Sequence, residues 1–219
     1  MSATLGQRAH TLNPALDLSI GSIHGRPMAR TRGSDGKETE ARVFAAAKTL
    51  FAERGFGAVG MRDVAEAVGI RVGGLYRYVP DKDSLLVSIM DAHMMTRRAA
   101  CPPPQGEPLK DFEAFVDAQF AALCDDAEGA AIVTRDRVWL PVAARARIER
   151  IETEILEHLT GILSDGRKTV FQLPDAQAGA IAVLSVLEAF SRPGGEFSRL
   201  GAARAQRISA NFARRIAKS

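Results

Sequence analysis

From Thr39 to Arg54 apolar side chains return every three or four residues, with Val43, Ala47 and Leu50 in line and Phe44 and Phe51 beside them. This pattern predicts an amphipathic helix with one face to bury. Gly55 ends it. A shorter pattern begins at Met61, where Val64, Ala65 and Val68 make one stripe while Arg62, Asp63 and Glu66 stay polar, so a helix of about two turns is expected. Gly69 follows. A glycine can take positive φ without the steric cost other residues carry, and it lets the chain reverse within a few residues. Ile70 and Leu75 then serve as apolar pins for a second short helix that ends in Tyr76-Arg77-Tyr78. Two short helices on a tight turn outline a helix-turn-helix.

Further along, Pro80 sets an entry and Asp81 is a natural N-cap for a helix reaching Arg98, with Leu85, Leu86, Ile89, Met90 and His93 inward. Pro102-Pro103-Pro104 breaks the chain, and Pro108 opens the next helix. In that helix Leu109, Phe112, Val116, Phe120 and Leu123 form one stripe, and Phe115, Gln119 and Ala122 flank it, so it must be covered on two faces. Another segment runs to Trp139. Pro141 then starts a long helix with Ile148, Ile151, Ile155, Leu159 and Ile162 inward. After Pro174, residues Ala178 to Phe190 are apolar almost all round, interrupted by Gly179, Ser185 and Glu188. This stretch is too short and too interrupted for a membrane span, and burial between subunits explains it better. The last segment carries Leu200, Ala205, Ile208, Phe212 and Ile216 at helical spacing. The chain therefore reads as all-α, without internal repeats.

Composition narrows the function classes. The 219 residues are 46% hydrophobic, enough for one good core or two smaller ones. The formal net charge is only +3, and its distribution says more: residues 99 to 194 hold fifteen acids against nine Lys and Arg, whereas 195 to 219 hold one against six. The arginines of the last segment read as the solvated face of its helix. Cys101 and Cys124 lie far apart, with no C-x-x-C and no histidine spacing suited to zinc, so no metal or cofactor is expected. Cys101, beside the proline break, is a candidate exposed thiol. The four histidines are scattered, none beside a nucleophile, and no catalytic constellation emerges.

The segments Leu50-Phe51-Ala52-Glu53-Arg54-Gly55-Phe56, Met61-Arg62-Asp63-Val64-Ala65, Val68-Gly69-Ile70, Gly73-Gly74-Leu75-Tyr76-Arg77-Tyr78 and Lys82-Asp83-Ser84-Leu85-Leu86 occur in this order and spacing. Together they resemble the TetR (tetracycline-repressor) family of bacterial transcription regulators between about Glu40 and Met90. The resemblance implies a three-helix DNA-binding domain at 37–82 and a helical ligand-binding and dimerisation domain at 83–219, behind a disordered extension at 1–36. It implies a cytoplasmic homodimer that binds double-stranded DNA at a palindromic operator and is released by a small-molecule effector. The helix from Asp81 to Arg98 would link the two domains, and 175–191 with 198–217 would pack against their copies.

Carried over residue by residue, Arg62 matches a position able to read a guanine edge, with a phosphate contact as the other reading. Val72, Gly73 and Gly74 match the start of the recognition helix, where Val72 could meet a thymine methyl. Two adjacent glycines in a short helix cost roughly 1 kcal/mol each relative to alanine, so something should need the missing side chains; close approach to a DNA groove is one such need, an ordinary loop the other reading. Tyr76, Arg77, Tyr78 and Lys82 match positions that contact the DNA backbone, although Tyr76 could equally pack in the core. Many relatives carry Ser or Thr where this chain has Gly60 and Arg71. There phosphate would be met by backbone N–H groups and the arginine charge. Because Gly60, Gly73 and Gly74 strip side chains from the surface, a dimeric helical scaffold with lost DNA binding is the rival reading. Arg26, Arg30, Arg32 and Lys37 could form a basic arm along the minor groove, and Met28 opens a phrase resembling the ordinary beginning of such a regulator. Phe115, Gln119, Arg135 and Trp139, aromatic or polar residues near apolar faces, are the effector-pocket candidates.

Overall fold

The computed structural model describes residues 34–167, 169–192 and 202–217. The described residues form α-helices and two short 3₁₀ turns, in the order α1 (Ser34–Arg54), α2 (Met61–Val68), α3 (Val72–Leu75), α4 (Lys82–Ala99), α5 (Pro108–Asp125), α6 (Ala127–Asp136), α7 (Val142–Gly166), α8 (Ala176–Ser191) and α9 (Ala202–Ala217). The 3₁₀ turns are Phe56–Ala58 and Arg137–Trp139. The all-α expectation holds.

The amino-terminal head closes around the predicted stripes: Val43, Ala47 and Phe51 of α1 meet Val64, Ala65 and Val68 of α2, Leu75 of α3, and Leu86 and Met90 of α4, all buried. At the end of α1 the backbone of Gly55 takes φ 84°, and Phe56 turns inward to stack edge-on against Phe51, with ring centroids 5.3 Å apart. Asp81 caps α4 as anticipated, its carboxylate accepting the Ser84 N–H at 2.7 Å. That hydrogen bond holds the Asp81 carboxyl below its usual range.

In the body α5 lies against α7, α8 and α9, α7 against α8, and α8 against α9, while α4 touches α1, α5, α6 and α7. Phe112, Phe115, Val116, Phe120 and Leu123 fill the bundle from α5, and Ile148, Ile151, Ile155, Leu159 and Ile162 meet them from α7. Because α4 contributes Leu85 and Leu86 to the head and Met94 and Arg97 to the body, the two parts share one uninterrupted helix.

Four expectations change. Helix α1 starts at Ser34, inside the stretch 1–36 taken as disordered, so the head includes Ser34 to Gly36 and Lys37 sits on a helix. The second short helix keeps only Val72 to Leu75 in regular form, and Tyr76-Arg77-Tyr78 falls in a turn. Gly73 and Gly74 hold a helix weakly, and Val79, as the residue before Pro80, is disfavoured in the α region. Leu109 leaves the α5 stripe and is exposed, one turn before the core begins. Cys101 is half-buried, its thiol against the Arg97 carbonyl oxygen, and burial raises its pKa, the opposite of what a reactive thiolate needs. The arm residues Arg26, Arg30 and Arg32, the phrase from Met28, and Leu200 lie outside the described residues, as do the side chains of Ala205 and Phe212.

Candidate nucleic-acid interface and regulatory cavity

Helix α2 begins at Gly60 without a hydroxyl cap. Asp63 compensates from the third helical position, its Oδ2 accepting the Gly60 N–H at 2.7 Å, the reciprocal half of a capping box. The other end closes as a Schellman motif: the Gly69 N–H reaches Glu66 O at 3.0 Å, the Ile70 N–H reaches Ala65 O at 3.0 Å, and Gly69 takes φ 75°. Arg42 of α1 adds a guanidinium bond to Val68 O at 2.7 Å, a cation at the negative end of the helix. The turn is thereby fixed from both sides. It throws α3 out with Leu75 fully buried as its pin.

On the outer side stand Arg62, Arg71, Gly73, Tyr76 and Arg77, all exposed, with Val72, Gly74 and Tyr78 half-buried beside them. Tyr76 is 52% exposed, which removes it from the core. Around Gly73 and Gly74 a methyl group would find no protein atom within 4 Å. Internal packing therefore makes no demand for glycine at either position, and the surface there is bare backbone flanked by cations.

Lys82 departs from the expected DNA-backbone role. Its ammonium donates to Phe56 O at 3.0 Å and Val59 O at 2.9 Å and lies 4.1 Å from the Phe56 ring centroid. Carbonyls at the two ends of the 3₁₀ turn capture it, so Lys82 braces the base of the head.

The head meets the body through polar contacts. Asp126, the N-cap of α6, accepts from Lys48 of α1, from His93 Nδ1 of α4 at 3.1 Å, and from the Gly129 N–H at 2.9 Å. Burial alone would raise the Asp126 carboxyl, but these hydrogen bonds outweigh it and hold the group well below the usual carboxylate range. Arg135 of α6 donates to Phe51 O and to Ala52 O, the latter at 3.1 Å, so it closes the carboxyl end of α1. The same guanidinium pairs with buried Asp136 at 2.8 Å. Trp139 lies across Phe56, with centroids 5.9 Å apart.

Directly behind this joint is a cavity of about 700 Å³, bounded by Ala52 and Glu53 of α1, His93 and Arg97 of α4, Arg135 of α6 and Glu188 of α8, among others. Of the four pocket candidates only Arg135 lines it. Phe115 is fully buried and stacks on His158, Trp139 belongs to the joint, and Gln119 sits one layer back, bonded to Arg97. The sequence reading missed Arg97 and Glu188, an ion pair at 3.1 Å across the cavity wall. A signal existed, since Glu188 is the single charge in α8.

Comparison with known proteins agrees with this arrangement. Residues 43–89 match the bacterial regulatory proteins of the tetR family. The HTH-type transcriptional repressor KstR2 of Rhodococcus jostii (strain RHA1) is 31% identical over 147 residues, spanning 65% of this chain and 71% of the relative. Among solved structures, a bacterial regulatory protein in the tetR family from Rhodococcus RHA1 superposes with TM-score 0.72 at 24% identity, covering 83% of this chain and 97% of that one. AibR, solved in complex with isovaleryl coenzyme A and operator DNA, superposes with TM-score 0.66 at 17% identity over 80% of this chain and 96% of its own. The helix-turn-helix head on a helical body, with the match to the family's head region and 31% identity over 71% of KstR2, places the chain in the tetR family of bacterial regulatory proteins, as a DNA-binding transcriptional regulator.

Proposed function

We propose that the protein is a homodimeric repressor that holds a palindromic operator through two copies of the head and releases it when a small molecule fills the cavity behind the joint. The observation that carries the reading is the uncrowded Gly73-Gly74 edge, exposed between Arg62, Arg71 and Arg77. Bare backbone can approach a groove closely, Arg62 has the donor geometry for a guanine edge, and Arg71, Tyr76 and Arg77 are suited to phosphate. The head extends from α1 to the first turn of α4, and the remainder of α4 onward is the regulatory domain. Tyr78, half-buried, would contribute its hydroxyl alone, and Lys82 acts from beneath.

One head offers few base contacts, whereas two related by symmetry add theirs on half-sites about one helical turn, roughly 34 Å, apart or at a related spacing. Support for pairing comes from α8, where Ile181 is 50% exposed on a face it shares with exposed Ala178 and Ser185. The cavity touches α1 directly through Ala52 and Glu53, so an occupant needs no long relay to disturb the head. AibR, bound to both an acyl thioester and DNA, is a precedent for one fold holding both partners. A ligand that weakens operator binding a hundredfold must prefer the released state by about 2.7 kcal/mol, within the usual range of allosteric coupling.

Fluorescence anisotropy with a symmetric fragment from the regulator's own upstream region tests the reading. Two protomers per fragment, with affinity falling steeply as salt rises, is the expected result. Binding without salt dependence, or saturation by one protomer, would overturn it.

A further inference from the structure

We infer that the cavity behind the joint selects an amphipathic organic anion, whose acidic head takes the place of Glu188 on Arg97. The inference rests on reading the cavity as the effector site. It follows from an asymmetry within one ion pair. The Arg97 side chain is 6% exposed and that of Glu188 is 49% exposed, although their charges lie 3.1 Å apart.

Arg97 cannot leave. Its Nε donates to Gln119 Oε1 at 3.4 Å, and Gln119, itself fully buried, grips the same residue again by donating to Arg97 O at 2.8 Å. Among the described residues no acceptor meets its second terminal nitrogen, Nη2. Glu188 is free to go, because its carboxylate can turn into water at little cost. An incoming anion therefore exchanges one carboxylate for another at a fixed guanidinium and can engage both terminal nitrogens in the bidentate form such groups favour. An incoming cation that claimed Glu188 would strand a buried, unpaired arginine, which is strongly unfavourable. The other acids on the wall, Glu53, Glu128 and Glu152, do not reverse this preference, because three further arginines, Arg135, Arg137 and Arg192, line the same cavity and Arg137 pairs with Glu152 at 3.0 Å. Leu123, Val133 and the alanines of α6 supply apolar wall for the rest of the ligand, and about 700 Å³ suits a molecule of drug-like size.

Two dyes with the same ring body, anilinonaphthalene sulfonate and uncharged phenylnaphthylamine, are titrated against the intact protein by fluorescence. The sulfonate should bind about tenfold tighter or more, as a hydrogen-bonded charge pair provides. Glu188→Gln should tighten the sulfonate several-fold by removing its competitor, and Arg97→Gln should erase the difference between the dyes. Equal binding of both dyes by the parent protein, or weaker sulfonate binding in Glu188→Gln, overturns the inference. The Glu188 variant keeps the test valid should the Arg97 variant fail to fold. Displacement of the sulfonate by phenylbutyrate points to a carboxylate head and by phenyl phosphate to a phosphate head, and displacement by neither counts against the site. Operator release is followed on the same samples. An anion that binds with the stated preference but leaves DNA bound sinks the effector reading alone, whereas release by the uncharged dye without any preference sinks the anion alone.

Discussion

Gly73 and Gly74 face open space, so the reason for glycine at these positions must come from outside the chain. Gly73→Ala collides with nothing inside the protein and replaces a poor helix former by the best one, so the melting temperature should stay level or rise, by up to about 1 kcal/mol of stability. Operator affinity should nevertheless fall. A variant that melts higher and binds DNA as before would mean the edge never meets a groove. Two cations a few residues away separate by the same logic. Arg77 is exposed and free to meet phosphate, so Arg77→Ala should lower affinity on all sequences alike and reduce the salt slope by about one, with the fold untouched. Lys82 is committed to Phe56 O and Val59 O, so Lys82→Met should cost about 1–3 kcal/mol of stability and leave the salt slope alone. Anisotropy across a salt series, beside thermal melts, tells the two apart. The sequence placed both residues on the DNA side because each is a cation at a matching position. What it could not reveal is that a 3₁₀ turn twenty-odd residues upstream leaves carbonyls aimed at one of them.

At the scale of elements, periodicity was enough to locate α1, α4, α5, α7 and α8, because each carries apolar side chains at helical spacing and is bounded on at least one side by a glycine, a proline or a capping acid. It failed where helices meet. The joint is built from side chains that no spacing rule connects: Lys48 in α1, His93 in α4 and Asp126 before α6 converge only after folding. Arg135 and Trp139 looked like pocket residues for the same reason, being polar or aromatic near apolar faces, and contact with α1 and its 3₁₀ turn gives both a bracing function. The joint has a pH signature. Asp126 has a folded pKa below its ordinary 3.8, so its contribution is present above that value and is lost as pH falls through the folded pKa. Stability should therefore decline as the protein is acidified below about pH 4, and Asp126→Asn should be less stable at neutral pH while showing a shallower acid limb. Denaturant melts across that range measure both slopes. Parallel slopes for the two proteins would remove Asp126 from the account of the joint.

For the whole molecule the arrangement of charge and apolar surface points to pairing. The stretch from α5 to α8 holds an excess of acids, the head presents cations around an uncrowded edge, and α8 leaves Ile181 half in water while Val183 and Leu187 on the same helix are fully buried. A single protomer gains nothing from that exposed isoleucine. A symmetric pair would bury it and would also fix the separation of the two heads, which makes the second half-site contact effectively intramolecular. Ile181→Glu should leave the protomer folded, since the position touches water already, yet place two like charges into the contact between copies. Sedimentation should then show a monomer at concentrations where the parent chain is a dimer. Operator affinity should fall far more than a surface change remote from DNA could explain, while binding to an isolated half-site stays as weak as in the parent protein. Leu187→Glu serves as the contrast, because a charge at a fully buried position unfolds the protomer instead of separating two folded ones. If Ile181→Glu remains dimeric and binds its operator with parent affinity, the heads are held together by some other surface and α8 is not the hinge of the assembly.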